Sequence, residues 1–225
     1  MKITRLFILP AATALLLPLA SARGDETLLT FSVNQAIPDA NANGLSLFQT
    51  VSVGDGLLSD LKVTLNLSGG YNGDLYAYLV APGGGFSVLL NRVGIGYSAN
   101  PFGYSDAGFN VTLSDAAANG SIHTYQSVLT TGGAALTGTW QPDGLNLDPR
   151  SSASAFQSAG QTAMLTSLTG GSANGTWTLF LADLSAGSQA TLVSWGLDLT
   201  LVPEPQALSF AALAILAAAW KRRQA

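Results

Sequence analysis

One histidine and no cysteine among 225 residues narrow the chemistry open to this chain. A Ser-His-Asp triad would have to be assembled around His123. That residue sits in a Gly/Ala/Ser-rich stretch, and no Gly-x-Ser-x-Gly elbow supplies a nucleophile. A lone histidine in this context reads as a surface or internally satisfied residue, so catalysis is not expected. Zinc lacks its thiolate and imidazole ligands. Hard cations such as calcium, which take about six to eight oxygens from carboxylates, carbonyls and water, remain compatible with the charge. Between Arg23 and Val202 four basic residues stand against twelve acidic ones, a net charge of −8. An acidic surface disfavours nucleic acid, whose binding rests on Lys and Arg neutralising phosphates. No Asp-x-Asp-x-Asp loop is present.

The elements that must position such residues read as β-strands. Segments 27–33, 47–53, 61–67, 75–80, 86–90, 109–113, 176–181 and 191–201 are short and rich in β-formers. Gly54-Asp55-Gly56, Gly69-Gly70, Pro82-Gly83-Gly84-Gly85 and Ser185-Ala186-Gly187 punctuate them as turns. From Leu61 to Leu67 odd positions are apolar and even ones polar, which places one face inside and one in water. In the last strand Val193, Trp195, Leu197, Leu199 and Leu201 share one parity, and Leu192, Ser194, Gly196, Asp198 and Thr200 the other. Gly94 to Thr162 is less regular and reads as extended loops joining edge strands. Sustained helical periodicity is missing between the two ends. The expected fold is all-β, an antiparallel β-sandwich. Its roughly 180 residues form one domain that holds together by packing alone.

Ile37-Pro38-Asp39, Tyr71 with Gly73-Asp74-Leu75, Ala81-Pro82-Gly83, Phe109, Asp115-Ala116-Ala117, Trp140-Gln141-Pro142, Gly175-Thr176-Trp177-Thr178-Leu179, Asp183 and Ser194-Trp195-Gly196-Leu197 follow one another in order. This succession resembles the P domain (P/Homo B domain) that follows the catalytic domain of subtilisin-like proprotein convertases. The resemblance runs over residues 27–201 and implies a jelly-roll-like sandwich. Trp177 and Trp195 are expected to be core anchors. The family often carries a histidine where this chain has Gly69, and a second acidic residue where it has Ser185-Ala186-Gly187-Ser188. Asp39, Asp74 and Asp183 match acidic positions of the family pattern and lie beside turns, which makes them the candidate calcium ligands. The alternative is that each caps its own turn. P domains assist an adjoining serine protease, so a serine-type endopeptidase label can attach at family level. This chain has no room for the catalytic domain.

The two ends direct export. Lys2 and Arg5, the apolar Leu6 to Leu19 and Ala20-Ser21-Ala22 give residues 1–22 the layout of a signal peptide. At the other end Pro203-Glu204-Pro205 cannot continue a strand. The uncharged run Ala207 to Trp220 and the basic Lys221-Arg222-Arg223 follow. Residues 202–225 resemble the PEP-CTERM sorting tail of exported bacterial proteins, on which the membrane protease exosortase acts. A short hydrophobic helix is expected there. Fourteen residues are short for a permanent span of about 20, although an ordinary C-terminal anchor is the alternative.

The expectation is therefore an exported, non-catalytic sandwich. It is held at the inner membrane by its tail before processing, then placed at the cell surface or in the extracellular matrix. The resemblance to a sorting tail implies exosortase as processing partner and exopolysaccharide or a matrix protein as binding partner. The alternative role is assistance to a separate subtilisin-like serine endopeptidase in trans.

Overall fold

A computed structural model of the protein describes residues 24–203. The expected signal peptide over 1–22, Glu204 and Pro205 of the expected sorting motif, and the apolar run after them lie outside the described residues. Nine strands form two packed sheets. These are β1 (Asp25–Ala36), β2 (Asn41–Val51), β3 (Leu57–Gly69), β4 (Leu75–Val80), β5 (Phe86–Asn91), β6 (Phe109–Leu113), β7 (Leu136–Trp140), β8 (Gly175–Asp183) and β9 (Ala190–Val202). The larger sheet runs β1-β9-β3-β6-β7 and the smaller β2-β8-β4-β5. The fold is an all-β sandwich, and each of the eight strand segments read from the pattern falls on a strand.

Alternation explains the packing. Leu61, Val63, Leu65 and Leu67 of β3 point inward against Trp177, Leu179 and Leu181 of β8 and Leu75, Ala77 and Leu79 of β4, all in one core cluster. Lys62, Thr64 and Asn66 occupy the wetter parity. Trp195 enters the same core and meets Phe31 of β1 with ring centroids 4.7 Å apart.

Three features depart from the local reading. The first is β7, which pairs with β6 in parallel, Phe109 opposite Leu136 and Leu113 opposite Trp140. A parallel neighbour needs a crossover, and residues 114–135 supply it, including a 3₁₀ stretch at Ile122–Ser127. The second lies in β9, where Asn66 pairs with Ser194 but Leu67 pairs with Leu192. Val193 is the extra residue of a bulge, so the strand's parity changes there and Leu192 is fully buried. The third is a one-and-a-half-turn helix, α1 (Ala153–Ser158), capped by the Ser152 side chain accepting from Ala155 N.

The irregular region between Gly94 and Thr162 also shields the edge of the smaller sheet. Asp143 N and Gly144 N donate to the carbonyls of Leu89 and Val88, while Val88 N donates to Ala163 O. The outer edge of β5 is thus paired with loop backbone, which removes an open template for strand addition. No helix among the described residues is long and apolar enough to cross a membrane.

Candidate functional site

Strand register gathers the predicted carboxylates. Asp183 is the last residue of β8, opposite Leu75 in β4 and Asn41 in β2. Both partners run antiparallel to β8 and begin where it ends. The turn before β2, holding Asp39, and the 3₁₀ turn Asn72–Asp74 before β4 therefore arrive at the same end of the sandwich. Gly73 sits in the second of these turns. A Cβ there would lie 2.6 Å from Tyr104 N and 2.7 Å from Gly103 Cα, so two backbone segments touch where only glycine fits.

Asp183 and Asp74 sense the other carboxylates. Asp183 is completely buried, and burial, with the charges of Asp74 and Asp39 added, pushes it up to about 6. Burial also raises Asp74, opposed by Ser185 and by the Arg92 guanidinium. Arg92, which sequence reasoning passed over, is the local counter-charge. Its Nη2 lies 3.8 Å from Asp74 Oδ1 and donates to Ser185 Oγ at 3.3 Å, and its Nε donates to Gly73 O at 3.2 Å. One signal could have found it: Arg92 is one of four basic residues in a strongly acidic domain.

Turn capping accounts for part of this arrangement. Asp39 Oδ2 accepts from Gly187 N at 3.3 Å and Asp183 Oδ1 from Ser185 N at 3.4 Å. Asp183 Oδ2 is left buried with no partner among the described residues. Among the described residues no three His, Cys, Asp or Glu side chains stand together as a metal-holding group. As placed, the trio is served by Arg92 and two turn amides, and the orphaned Asp183 oxygen is the one atom that calls for a further cation or donor. A cleft of about 250 Å³ lies alongside, lined by Asp74, Arg92, Ser185, Tyr71, Phe102 and Tyr104 among others.

Two buried polar clusters escaped the sequence reading. Asn72 donates to Gly108 O and to the Tyr125 hydroxyl and accepts from Gly108 N at 2.8 Å. Asp106 accepts from Tyr125 Oη at 2.6 Å, Gln126 Nε2 at 2.8 Å and Gly133 N at 3.0 Å. Burial works to raise Asp106, but donation from Tyr125, Gln126, Gly133 and neighbouring groups outweighs it and holds the carboxyl below the usual range. Through Tyr125 the two join, tying the 3₁₀ turn before β4, the loop before β6 and the crossover to one another.

His123 is buried in the 3₁₀ stretch midway along the crossover. Its Nδ1 lies 2.8 Å from Asp143 Oδ2 and its Nε2 2.9 Å from the Ile95 carbonyl. Its ring stacks on Phe156 at 5.7 Å. Burial works to lower its pKa, yet the charge and hydrogen bond of Asp143 and the backbone around Ile95 and Asn91 raise it overall. Both ring nitrogens face acceptors, so neither is open to a further partner.

Residues 144–199 match the family model of the proprotein convertase P-domain. The matched segment takes in α1, β8 and most of β9, with Trp177, Asp183 and Trp195; Asp39, Asp74 and His123 lie outside it. Among solved structures, the chain is 17% identical to the serine protease of Aeromonas sobria over 82% of its own length, with a TM-score of 0.43. It is 18% identical over 80% to the complex of that protease with the chaperone ORF2, with a TM-score of 0.42. The chain spans 28% and 27% of those chains. No curated protein matches it.

Proposed function

We propose that this protein is an exported, surface-sorted, non-catalytic β-sandwich that binds or builds the cell envelope or the exopolysaccharide matrix. The observation that carries the non-catalytic part is the double engagement of His123, the one histidine of the chain, by Asp143 and Ile95. The export part rests on residues 1–22 and 202–225. In the described residues β9 stops at Val202, directly before Pro203. The test is intact mass and cell fractionation of the protein from its native cells, beside a Pro203→Ala/Glu204→Ala/Pro205→Ala variant. A mature form lacking both ends, and absent in the variant, is the expected result. A full C-terminus retained in the membrane in both would refute sorting.

Calcium forms part of this reading. Asp39, Asp74 and Asp183 are the carboxylates that would hold it, and a bound cation would give Asp183 Oδ2 its missing partner. Saturating calcium is expected to raise the Tm of the chain, by linkage between binding and folding. Asp183→Asn is expected to remove the rise. An unchanged Tm at millimolar calcium would take calcium out of the proposal.

The P-domain match over 144–199 favours a second role, assistance to a subtilisin-like serine endopeptidase in trans. The purified chain, added to such a protease from the same cells, is expected under this role to lengthen its half-life on heating. An unchanged half-life would remove the role.

A further inference from the structure

The cavity beside His123 has a lining that the acidic end of the molecule does not share. It is a surface cleft of about 410 Å³, within the roughly 300–1,000 Å³ range of small-molecule sites. The 3₁₀ turn Tyr97–Ala99 and α1 flank it. Ile95, Leu145 and Phe156 form an apolar cluster at its base.

Apart from His123, its polar groups are neutral and partly fixed in place. Gln157 Nε2 donates to Gly96 O at 2.8 Å, and Gln161 Nε2 to the carbonyls of Pro142 and Asp143 at 3.1 and 3.0 Å. Those bonds hold both amides while their Oε1 atoms have no partner among the described residues. Ser121 Oγ accepts from His123 N at 3.2 Å, so its hydroxyl proton is free to donate. The Ser98 and Thr124 hydroxyls make no hydrogen bond among the described residues. No Asp, Glu, Lys or Arg lines the cleft, and the His123 charge is matched by the fully buried Asp143.

We propose that this cleft binds one uncharged sugar unit of a polysaccharide. A pyranose ring has apolar C–H faces that suit the Ile95, Leu145 and Phe156 base. Its hydroxyls each donate and accept, which suits two fixed amide acceptors beside three hydroxyls. A carboxylated or aminated sugar would lose its hydration and meet no opposite charge. The inference rests on the matrix-binding reading above and assigns a site to it.

The test titrates glucose, galactose, mannose and their short oligomers into the full chain while following the His123 imidazole resonances by NMR, with glucuronate as the charged comparison. Saturable shifts with a neutral sugar are expected. Thr124→Val is expected to weaken them about tenfold, the worth of one hydrogen bond, and Ala159→Trp, which fills the cleft, to abolish them. No saturable shift with any neutral sugar, equal affinity in Ala159→Trp, or tighter binding of glucuronate would overturn the proposal. Retention of wild type and Ala159→Trp alike on native exopolysaccharide would keep the matrix reading and remove this cleft. Sugar binding without such retention would keep the cleft and remove the matrix reading.

Discussion

Asp143→Ala is expected to destabilise the protein by about 3–5 kcal/mol in mildly acidic solution, the usual cost of stranding one member of a buried ion pair. The side chain of Asp143 is fully buried, and it also accepts from Asn91 N at 3.0 Å. The pH dependence separates this pair from ordinary packing. The folded-state pKa of His123 is raised, so its contribution is fully present below the ordinary histidine value near 6.5 and is lost as pH rises through the folded value. In Asp143→Ala burial and the backbone around Ile95 and Asn91 remain, and burial, the largest influence, favours the neutral ring. The variant's histidine contribution should then reverse sign and improve as pH rises. Urea denaturation of both proteins on either side of neutrality reads this directly. Parallel pH profiles would show that the pair carries no charge in the folded state.

Trp177→Ala should cost about 3–5 kcal/mol at any pH, against a typical domain stability of about 5–15 kcal/mol. Trp177 is completely buried in the main core, and its Nε1 donates to Ala173 O at 2.9 Å. Truncation removes both the packing and that bond, and with no cysteine in the chain no cross-link offsets the loss. Phe48→Ser on neighbouring β2 is the control. Phe48 is 71% exposed, and its loss should stay within about 0.5 kcal/mol. Equal effects in the two variants, measured by urea denaturation, would contradict the inward register of β8.

Eight of the nine strands were legible because their apolar positions alternate against turn residues. β7 was not, since only Leu136 and Trp140 are buried and Thr137-Gly138-Thr139 between them are exposed. Its partner β6 comes from 27 positions earlier in the register, which no local pattern records. The Val193 bulge was hidden for the same reason: a parity change shows only against a paired strand. α1 is too short for a 3.6-residue period to declare itself. At the acidic end, the turns holding Asp39, Asp74 and Asp183 were readable one by one. Their meeting depends on β8 lying between β2 and β4, and strand order is not written locally. Arg92, Asn72 and Asp106 were missed because a polar residue within two positions of a glycine looks like loop, whether it is solvated or buried with partners. His123, read as surface or satisfied, is satisfied.

The place of β9 bears on the order in which the chain can fold. Ala190–Val202 lies between β1 and β3, with Asp25 opposite Leu201 and Val63 opposite Leu197. The first strand to be made thus has no lasting neighbour until the last has followed it. Pairings this distant in sequence close late. During that interval β1 and β3 both present open edges, and a chain cut before Ala190 would keep them open permanently. The larger sheet is completed by its last strand, so a chain that reaches β9 is a precondition for the fold and partial products are the ones predisposed to aggregate.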